Sequence, residues 1–372
     1  MITGEYVPIA MNTIPLTFKD SLPSYTAVGG TERKASTGLS VVILNRGGRY
    51  PRYGLFEELG KAGFDYVLSM EGSFSRYDLE ALSGNFPFVR FILLKEPVSP
   101  GEEINLAAAE LSSPLFFVIW NDLRILRGGG AQRMAERLLS ASAAQDAKKA
   151  GSYKRLCTVP LIQDSRSETM PTLIAPALIP QGNSIRTIPF VPRKEGLPSL
   201  YPFDYIGIYE RERFIRLGGF DPSIQSAHWQ LMDFGFRSSL WGEEISATQL
   251  VKLSYEGEIP LDDSSSGEDA CRFYLKNLTP VFRSDYANIP LRRFPAYYNK
   301  RRGDIVRAWK EFSAARDWVK TNRFRFSSDA KTIAGNWELE AQDESGDEDD
   351  STDDVSKDDV SRRDDASRRD AT

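Results

Sequence analysis

The sequence predicts an α/β protein with a central, mostly parallel sheet flanked by helices and a helical C-terminal extension. Two observations carry this. Short apolar runs rich in β-branched and aromatic residues recur at residues 38–45, 64–70, 88–94 and 115–126. Between them lie segments of helical character, at 53–62, 76–82 and 101–111. Strands alternating with helices of about ten residues imply right-handed βαβ units and a parallel sheet.

The run at 115–126, LFFVIWNDLRIL, is apolar almost throughout. Such a run reads as a strand buried on both faces. It is interrupted at Asn121-Asp122, so a carboxylate sits where the strand reaches the surface. Ligands of open α/β sheets bind outside the carboxyl ends of the strands, which gives Asp122 a place in the chemistry. The plainer reading is turn chemistry, since Asn and Asp also end strands for local reasons.

The remaining elements follow in order. Residues 1–36 lack a clear period, carry Pro8, Pro15, Pro23 and Gly29-Gly30, and read as an extended arm. After the opening strands, an amphipathic helix is expected over 131–150 and a strand over 156–162. The proline-punctuated stretch 163–200 contains a candidate hairpin at 172–175 and 188–191. Residues 204–221 read as a strand, a charged helix and a Gly-Gly-Phe-Asp turn, whose glycines let the chain leave the helix sharply. Residues 228–242 form a further helix with Trp229, Met232, Phe236 and Leu240 on one apolar stripe. A helix is also expected over 303–320.

Composition bounds the function. Of 372 residues, 41% are hydrophobic, enough for a sizeable core. No run of about 18 or more apolar residues occurs, so no membrane span is expected. The N-terminal residues lack the pattern of a signal peptide. Two cysteines, Cys157 and Cys271, make neither a metal motif nor a disulfide framework, and a cytoplasmic location is the expectation. With His228 the only histidine, a multi-histidine metal centre is excluded.

The net charge of −5 conceals two populations. Residues 339–372 hold 14 acidic and 5 basic residues, which leaves 42 basic and 38 acidic residues in the rest. So polar a segment cannot bury enough surface to offset its ordering entropy, and 336–372 is expected to be a disordered acidic tail. Residues 286–335 are basic and interleaved with aromatics. They suggest contact with a diphosphate, an anionic membrane surface or, least supported, nucleic acid. The plainer alternative is a helix packed back on the main domain with a solvated basic face.

The order of motifs resembles the nucleotide-binding half of a GT-A glycosyltransferase, a Rossmann-like nucleotide-diphospho-sugar transferase fold, of the family 2 type. The resemblance rests on Glu71-Gly72-Ser73 after the second strand and on the helix carrying Gly101 and Asn105. It rests also on Trp120-Asn121-Asp122 in place of Asp-x-Asp, and on the segment ending in Gly218-Gly219-Phe220-Asp221. It spans residues 37–285, about two thirds of the chain. It implies transfer of a sugar from a nucleotide-sugar donor to a glycan or lipid-linked acceptor, assisted by a divalent cation, Mn2+ or Mg2+. Asp122 would be a metal ligand, Glu71 would face the base or ribose, and Asn105 would border the nucleotide. Asn45, Arg46, Asn121 and Arg124 complete the donor side, where Arg46, Arg49 and Arg124, on loops at the same sheet edge, suit phosphate contacts. Gly218, Gly219, Asp221 and Gln230 fall on the acceptor side. Peripheral contact with the inner membrane face through the basic segment is a further expectation.

The sequence departs from the family where catalysis matters. Family members commonly read Glu-Asp-x-Asp-Leu-x-x-Arg on this helix; Asp233 and Arg237 match the second Asp and the Arg, but Gln230-Leu231 replaces the Glu-Asp pair, and leucine cannot take a proton. His228 and Asp233 are the substitutes in reach. A histidine titrates in the range suited to proton transfer, and the resemblance also allows His228 as a metal ligand. Against these stand plainer roles, a helix cap or packing residue for His228 and an i, i+4 surface ion pair of Asp233 with Arg237. The alternative function is a glycosyltransferase-like module that binds nucleotide or glycan without turnover.

Overall fold

The computed structural model describes residues 22–33, 36–46, 52–72, 79–127, 130–148, 154–178, 185–256, 264–265, 267–301 and 303–345. In chain order these form β1 (Tyr25–Gly29), β2 (Leu39–Leu44), α1 (Arg52–Ala62), β3 (Val67–Glu71), α2 (Leu79–Asn85), β4 (Val89–Leu94), α3 (Pro100–Glu110) and β5 (Leu115–Trp120). Then come β6 (Leu123–Arg127), α4 (Ala131–Lys148), β7 (Lys154–Gln163), β8 (Leu173–Leu178), β9 (Ile185–Phe190), β10 (Gly207–Glu210), α5 (Arg211–Leu217), α6 (Ala227–Leu240) and β11 (Glu243–Tyr255). The chain continues with α7 (Glu268–Phe273), a π-helical turn Tyr274–Leu278, β12 (Val281–Arg283), β13 (Tyr286–Asn288), α8 (Phe294–Arg301), α9 (Ile305–Asn322) and α10 (Ala330–Ser345).

Nine strands make one sheet in the order β1-β4-β3-β2-β5-β10-β7-β11-β6. Strands β2 to β5 run parallel, and β11 runs parallel to β7. Between the two groups lies β10, antiparallel to both β5 and β7. The expected mostly parallel sheet flanked by helices is therefore what forms. Strands β2 and β5 are buried along their whole length, which is why their sequences are unbroken apolar runs. Residues 173–178 and 185–190 pair as the expected hairpin, outside the main sheet.

Three expectations need correction. Residues 25–29 of the expected extended arm are a strand of the main sheet, pairing antiparallel with β4 along its edge. The run 115–126 is two strands: Asn121-Asp122 turns the chain, and β6 crosses to the far edge to pair with β11. Residues 336–345, expected in the disordered acidic tail, belong to α10, which buries Ile333 and Ala334; residues 346–372 lie outside the described residues, as do 1–21.

Local chemistry fixes the segments around the C-terminal edge of the parallel strands. Ser99 caps α3 in a capping box, its backbone N–H donating to the Glu102 carboxylate at 3.1 Å, and Pro100 follows it. Helix α5 ends on Gly218 at φ 90°, and Gly219 also lies at φ 62°. A Cβ on Gly219 would fall 2.2 Å from Asn105 Oδ1, so only glycine lets α3 approach the turn. Phe220 then enters the core, stacked on Phe234 at 4.3 Å between ring centroids.

Beneath that turn lies a buried ionic cluster. Lys276 Nζ is 2.6 Å from Asp221 and 2.9 Å from Asp233, and Arg237 is 2.9 Å from Asp233. Arg237 also donates to the carbonyls of Leu217 and Gly219, each at 2.7 Å. Burial opposes the charge on Asp233, but Lys276 and Arg237 outweigh it and hold the carboxyl below its usual range. The Asp233–Arg237 pair is thus a core element and not a surface pair. Helix α9 packs back over this region, with Trp318 stacked on Trp241 at 5.8 Å.

Removing one partner of a buried ion pair leaves an uncompensated charge and typically costs about 3–5 kcal/mol. Lys276→Met should therefore cost about that much in urea unfolding; a loss below about 1 kcal/mol would show that the cluster contributes little.

Candidate active site

Three strand ends and one turn meet at the C-terminal edge of the sheet. Strand β2 delivers Asn45 and Arg46, β3 delivers Glu71, and β5 delivers Trp120, Asn121 and Asp122. The turn before β10 delivers Asp204 and Tyr205, both in the left-handed region at φ 50° and 63°. Two consecutive non-glycine residues in that region are a strained arrangement, each costing about 1–3 kcal/mol. Side-chain contacts hold it: Trp120 Nε1 donates to the Asp204 carbonyl at 2.8 Å, and the Tyr205 hydroxyl donates to Gln230 Oε1 at 2.8 Å.

Arg46 joins the two acids. Its Nε lies 3.2 Å from Asp122 Oδ2, and its terminal nitrogen donates to Asp204 Oδ2. The guanidinium lies 4.0 Å from the Trp120 ring centroid, and Tyr255, at the end of β11, donates its hydroxyl to Asp204 Oδ2 at 2.7 Å. Burial works against the Arg46 charge, yet Asp204, Tyr255 and Asp122 together keep its pKa above the ordinary value. Burial pushes the Asp122 and Asp204 carboxyls up, and Arg46 offsets part of that shift in each. No motif in the sequence marks Asp204 or Tyr255 as members of this group. Asp204 heads the Gly-Gly-Phe-Asp segment, but nothing local shows that it meets a residue 82 positions earlier.

The other predicted donor-side residues divide. Glu71 is fully buried, accepting from Arg52 at 2.6 Å and Ser69 at 2.8 Å, so its Oε1 serves an internal pair. Asn45 donates to the Met70 carbonyl and accepts from Arg52 at 3.1 Å, tying β2 to β3 and α1. Asn105 clamps Phe220 through both its amide groups, at 2.8 and 2.9 Å. Asn121 accepts weakly from the Arg46 backbone at 3.4 Å. Arg124 is exposed and pairs with Glu58, away from Asp122. Arg49 lies outside the described residues.

The predicted acceptor side is largely internal scaffolding. Gln230 is fully buried, its Oε1 accepting from Gly101 N and Tyr205 and its two amide N–H groups facing Ser99 Oγ, Asp221 O and Ile224 O at 2.9–3.1 Å. Asp221 and Asp233 belong to the ionic cluster, and Gly218-Gly219 form the turn above it. An acceptor hydroxyl does not reach Asp233, whose exposure is 0%. His228 occupies the first turn of α6, buried, its ring edge-on to Trp229 at 4.8 Å.

The same geometry sets what a divalent cation would meet here. No group of three His, Cys, Asp or Glu side chains is placed to hold a metal among the described residues, so His228 and Asp122 are not joined in such a site. Two carboxylates are, however, brought together, and neither oxygen of Asp122 accepts a hydrogen bond among the described residues. Magnesium is commonly held by one or two carboxylates with substrate phosphates completing its shell. Asp122 with Asp204 fits that donor set, once Arg46 yields its place.

Comparison with known proteins adds a likeness in fold. No family model matches the chain, and no curated protein does. Solved GT-A glycosyltransferases overlap it. GalNAc-T7 with UDP, GalNAc and Mn2+ matches at TM-score 0.43 and 14% identity, over 76% of this chain and 56% of that one. TarS of S. aureus matches at 0.42 and 14%, over 64% and 38%. TarS residues 1–349 with UDP-GlcNAc match at 0.38 and 13%, over 76% and 74%. The chain thus spans just over half of GalNAc-T7 and well under half of full TarS. Overlaps this loose carry no argument about chemistry, which rests on the residues above.

One further titratable group stands at this edge without any sequence motif to mark it. Glu103, in the first turn of α3, is pushed up to about 8, by burial first and by Glu71 next. Its ordinary value is 4.5, so the unfolded chain loses this proton while the folded chain keeps it. Stability should fall as pH rises from about 4.5 to about 8 and level off beyond. Glu103→Gln should gain on the wild type across that window in urea unfolding. A difference independent of pH between 5 and 8.5 would place Glu103 in water.

Proposed function

We propose that this chain transfers a sugar from a nucleotide-sugar donor to a hydroxyl of a glycan or lipid-linked acceptor. The observation that carries the reading is the meeting of Asp122, Asp204 and Arg46 at the carboxyl ends of the parallel strands, where α/β proteins bind ligands. Asp122 and Asp204 would hold a divalent cation, which neutralises the charge developing on a diphosphate leaving group. Arg46, set between β2 and the two acids, is within a side chain's reach of the same group and suits phosphate oxygens through its planar fork. Trp120 offers its ring to hold that guanidinium in plane.

Proton transfer from the acceptor is assigned to His228. Leu231 cannot act as a base, and the Asp233 charge is committed to Lys276 and Arg237. The same two facts support a second reading, a module that binds donor without turnover. A positioned base typically contributes about 10²–10⁴-fold to rate.

The exposed face of α8–α9 supports a lipid-linked acceptor. Ile305, Val306 and Trp309 are exposed there, with Leu291 exposed beside Arg292 and Arg293 just before α8. Basic residues beside apolar ones suit an anionic membrane surface. No helix among the described residues is long and apolar enough to cross a membrane. Co-sedimentation with vesicles containing phosphatidylglycerol, lost in Val306→Glu/Trp309→Glu, would bear this out; equal recovery of wild type and variant would end it.

A thermal-shift screen of nucleotide sugars, with and without Mn2+, tests the main reading, because a ligand specific to the folded state raises its stability by mass action. Asp122→Ala should abolish metal-dependent donor binding with the fold intact. With a donor that is consumed, His228→Ala should lower turnover by about 10²–10⁴-fold and leave donor affinity nearly unchanged. A donor that binds tightly and is never consumed would establish the second reading.

A further inference from the structure

Asp122 is 1% exposed, and neither carboxylate oxygen accepts a hydrogen bond among the described residues. A buried carboxylate of this kind is costly unless a cation lies against it. The cation against it is Arg46, whose guanidinium also engages Asp204 and lies over the Trp120 ring. The same pair of acids is the donor set that fits a hard divalent cation.

We propose that Arg46 is the resident counter-cation of the Asp122–Asp204 pair, and that a divalent cation enters only by displacing it. The inference deepens the glycosyltransferase reading and rests on it for the purpose of the cation, though the competition itself does not depend on turnover. The argument is one of charge. Two carboxylates balance one divalent cation, whereas a divalent cation together with a guanidinium leaves one unbalanced positive charge in a poorly solvated pocket. Uncompensated buried charge is strongly disfavoured, so the two cations exclude each other.

A diphosphate changes that balance. Its negative charge would accept the displaced guanidinium, so Arg46 would pass from the acids to the phosphates as the metal arrives. Metal and diphosphate should therefore bind with positive coupling, each favouring the other by the same factor. Metal alone should bind weakly, because it must evict Arg46 without anything to receive it.

The test is Mn2+ binding to the full chain without nucleotide, by calorimetry or by electron paramagnetic resonance of free Mn2+. Arg46→Gln and Arg46→Met remove the charge, and the methionine retains an unbranched stem over Trp120. Near-UV circular dichroism checks that each variant is folded. Either variant should bind Mn2+ at least about tenfold more tightly than the wild type. Adding Asp122→Asn should abolish the gain. The acidic C-terminal residues are the same in every variant, so any Mn2+ they take up cancels in the comparison.

Equal affinity in wild type and variants, or a gain that survives Asp122→Asn, would overturn the proposal. A second measurement needs no change at position 46. The ring current of Trp120 should hold the Arg46 Nε–H signal upfield, and saturating Mg2+ should move it toward that of free arginine. A signal unmoved by bound Mg2+ would count equally against displacement. Both measurements read metal binding alone, so failure to find a donor that is consumed would leave their outcome standing.

Discussion

Two acids cannot share a buried sheet edge without a cation, and this requirement organises the site. Asp122 is fixed by its strand: its neighbour's N–H donates to Leu44 O at 2.9 Å, and its own carbonyl accepts from Glu256 N at 2.8 Å. Asp204 is fixed by a strained turn anchored through Trp120, Tyr205 and Tyr255. Neither backbone has freedom to separate the charges. Burial raises both carboxyls, and the guanidinium of Arg46 is what makes their ionisation tolerable. Everything that positions these residues, from the unbroken apolar sequence of β5 to the antiparallel insertion of β10, serves to hold that triad at one place.

A second charge system stands behind the first and differs in kind. Asp221, Asp233, Lys276 and Arg237 are almost fully buried and satisfy one another, with Asn277 donating to Asp233 at 2.8 Å. Such a cluster specifies the join between the α5 turn, α6 and the π-helical turn, and a π turn is often the mark of a constraint of this sort. Gln230 and Asn105 do the same work with neutral hydrogen bonds. Asp233, Gln230 and Asn105 are thus committed to the framework, while Arg46, Asp122 and Asp204 stand together at the sheet edge.

The C-terminal extension follows from the same contrast. Its buried side, Phe312, Val319 and Trp318, covers α6 and the ionic cluster, with Lys276 lying 5.0 Å from the Trp318 ring centroid. Its outer side leaves Ile305, Val306 and Trp309 in water. One helix thus seals the charged interior and presents an apolar edge outward.

The sequence by itself determined the alternation of strands and helices, the burial of β2 and β5, and the sharp exit at Gly218-Gly219. Each depends on periodicity, on unbroken apolar runs or on glycine's freedom at positive φ, all of which are local. It also placed Asp122 at a strand end and Arg46 on the adjoining loop. Strand β11 escaped because its alternation is irregular, and β1 because five residues on a sheet edge carry little apolar signal. What only the tertiary structure decided was which charges meet. Asp233 lies one turn from His228 in sequence, yet Lys276 reaches it from beyond β11 and removes it from the chemistry. Asp204 is 158 residues from Arg46 and is nonetheless its partner. Charge pairing depends on distance in space and on the loss of water, and neither quantity is written in the order of the residues.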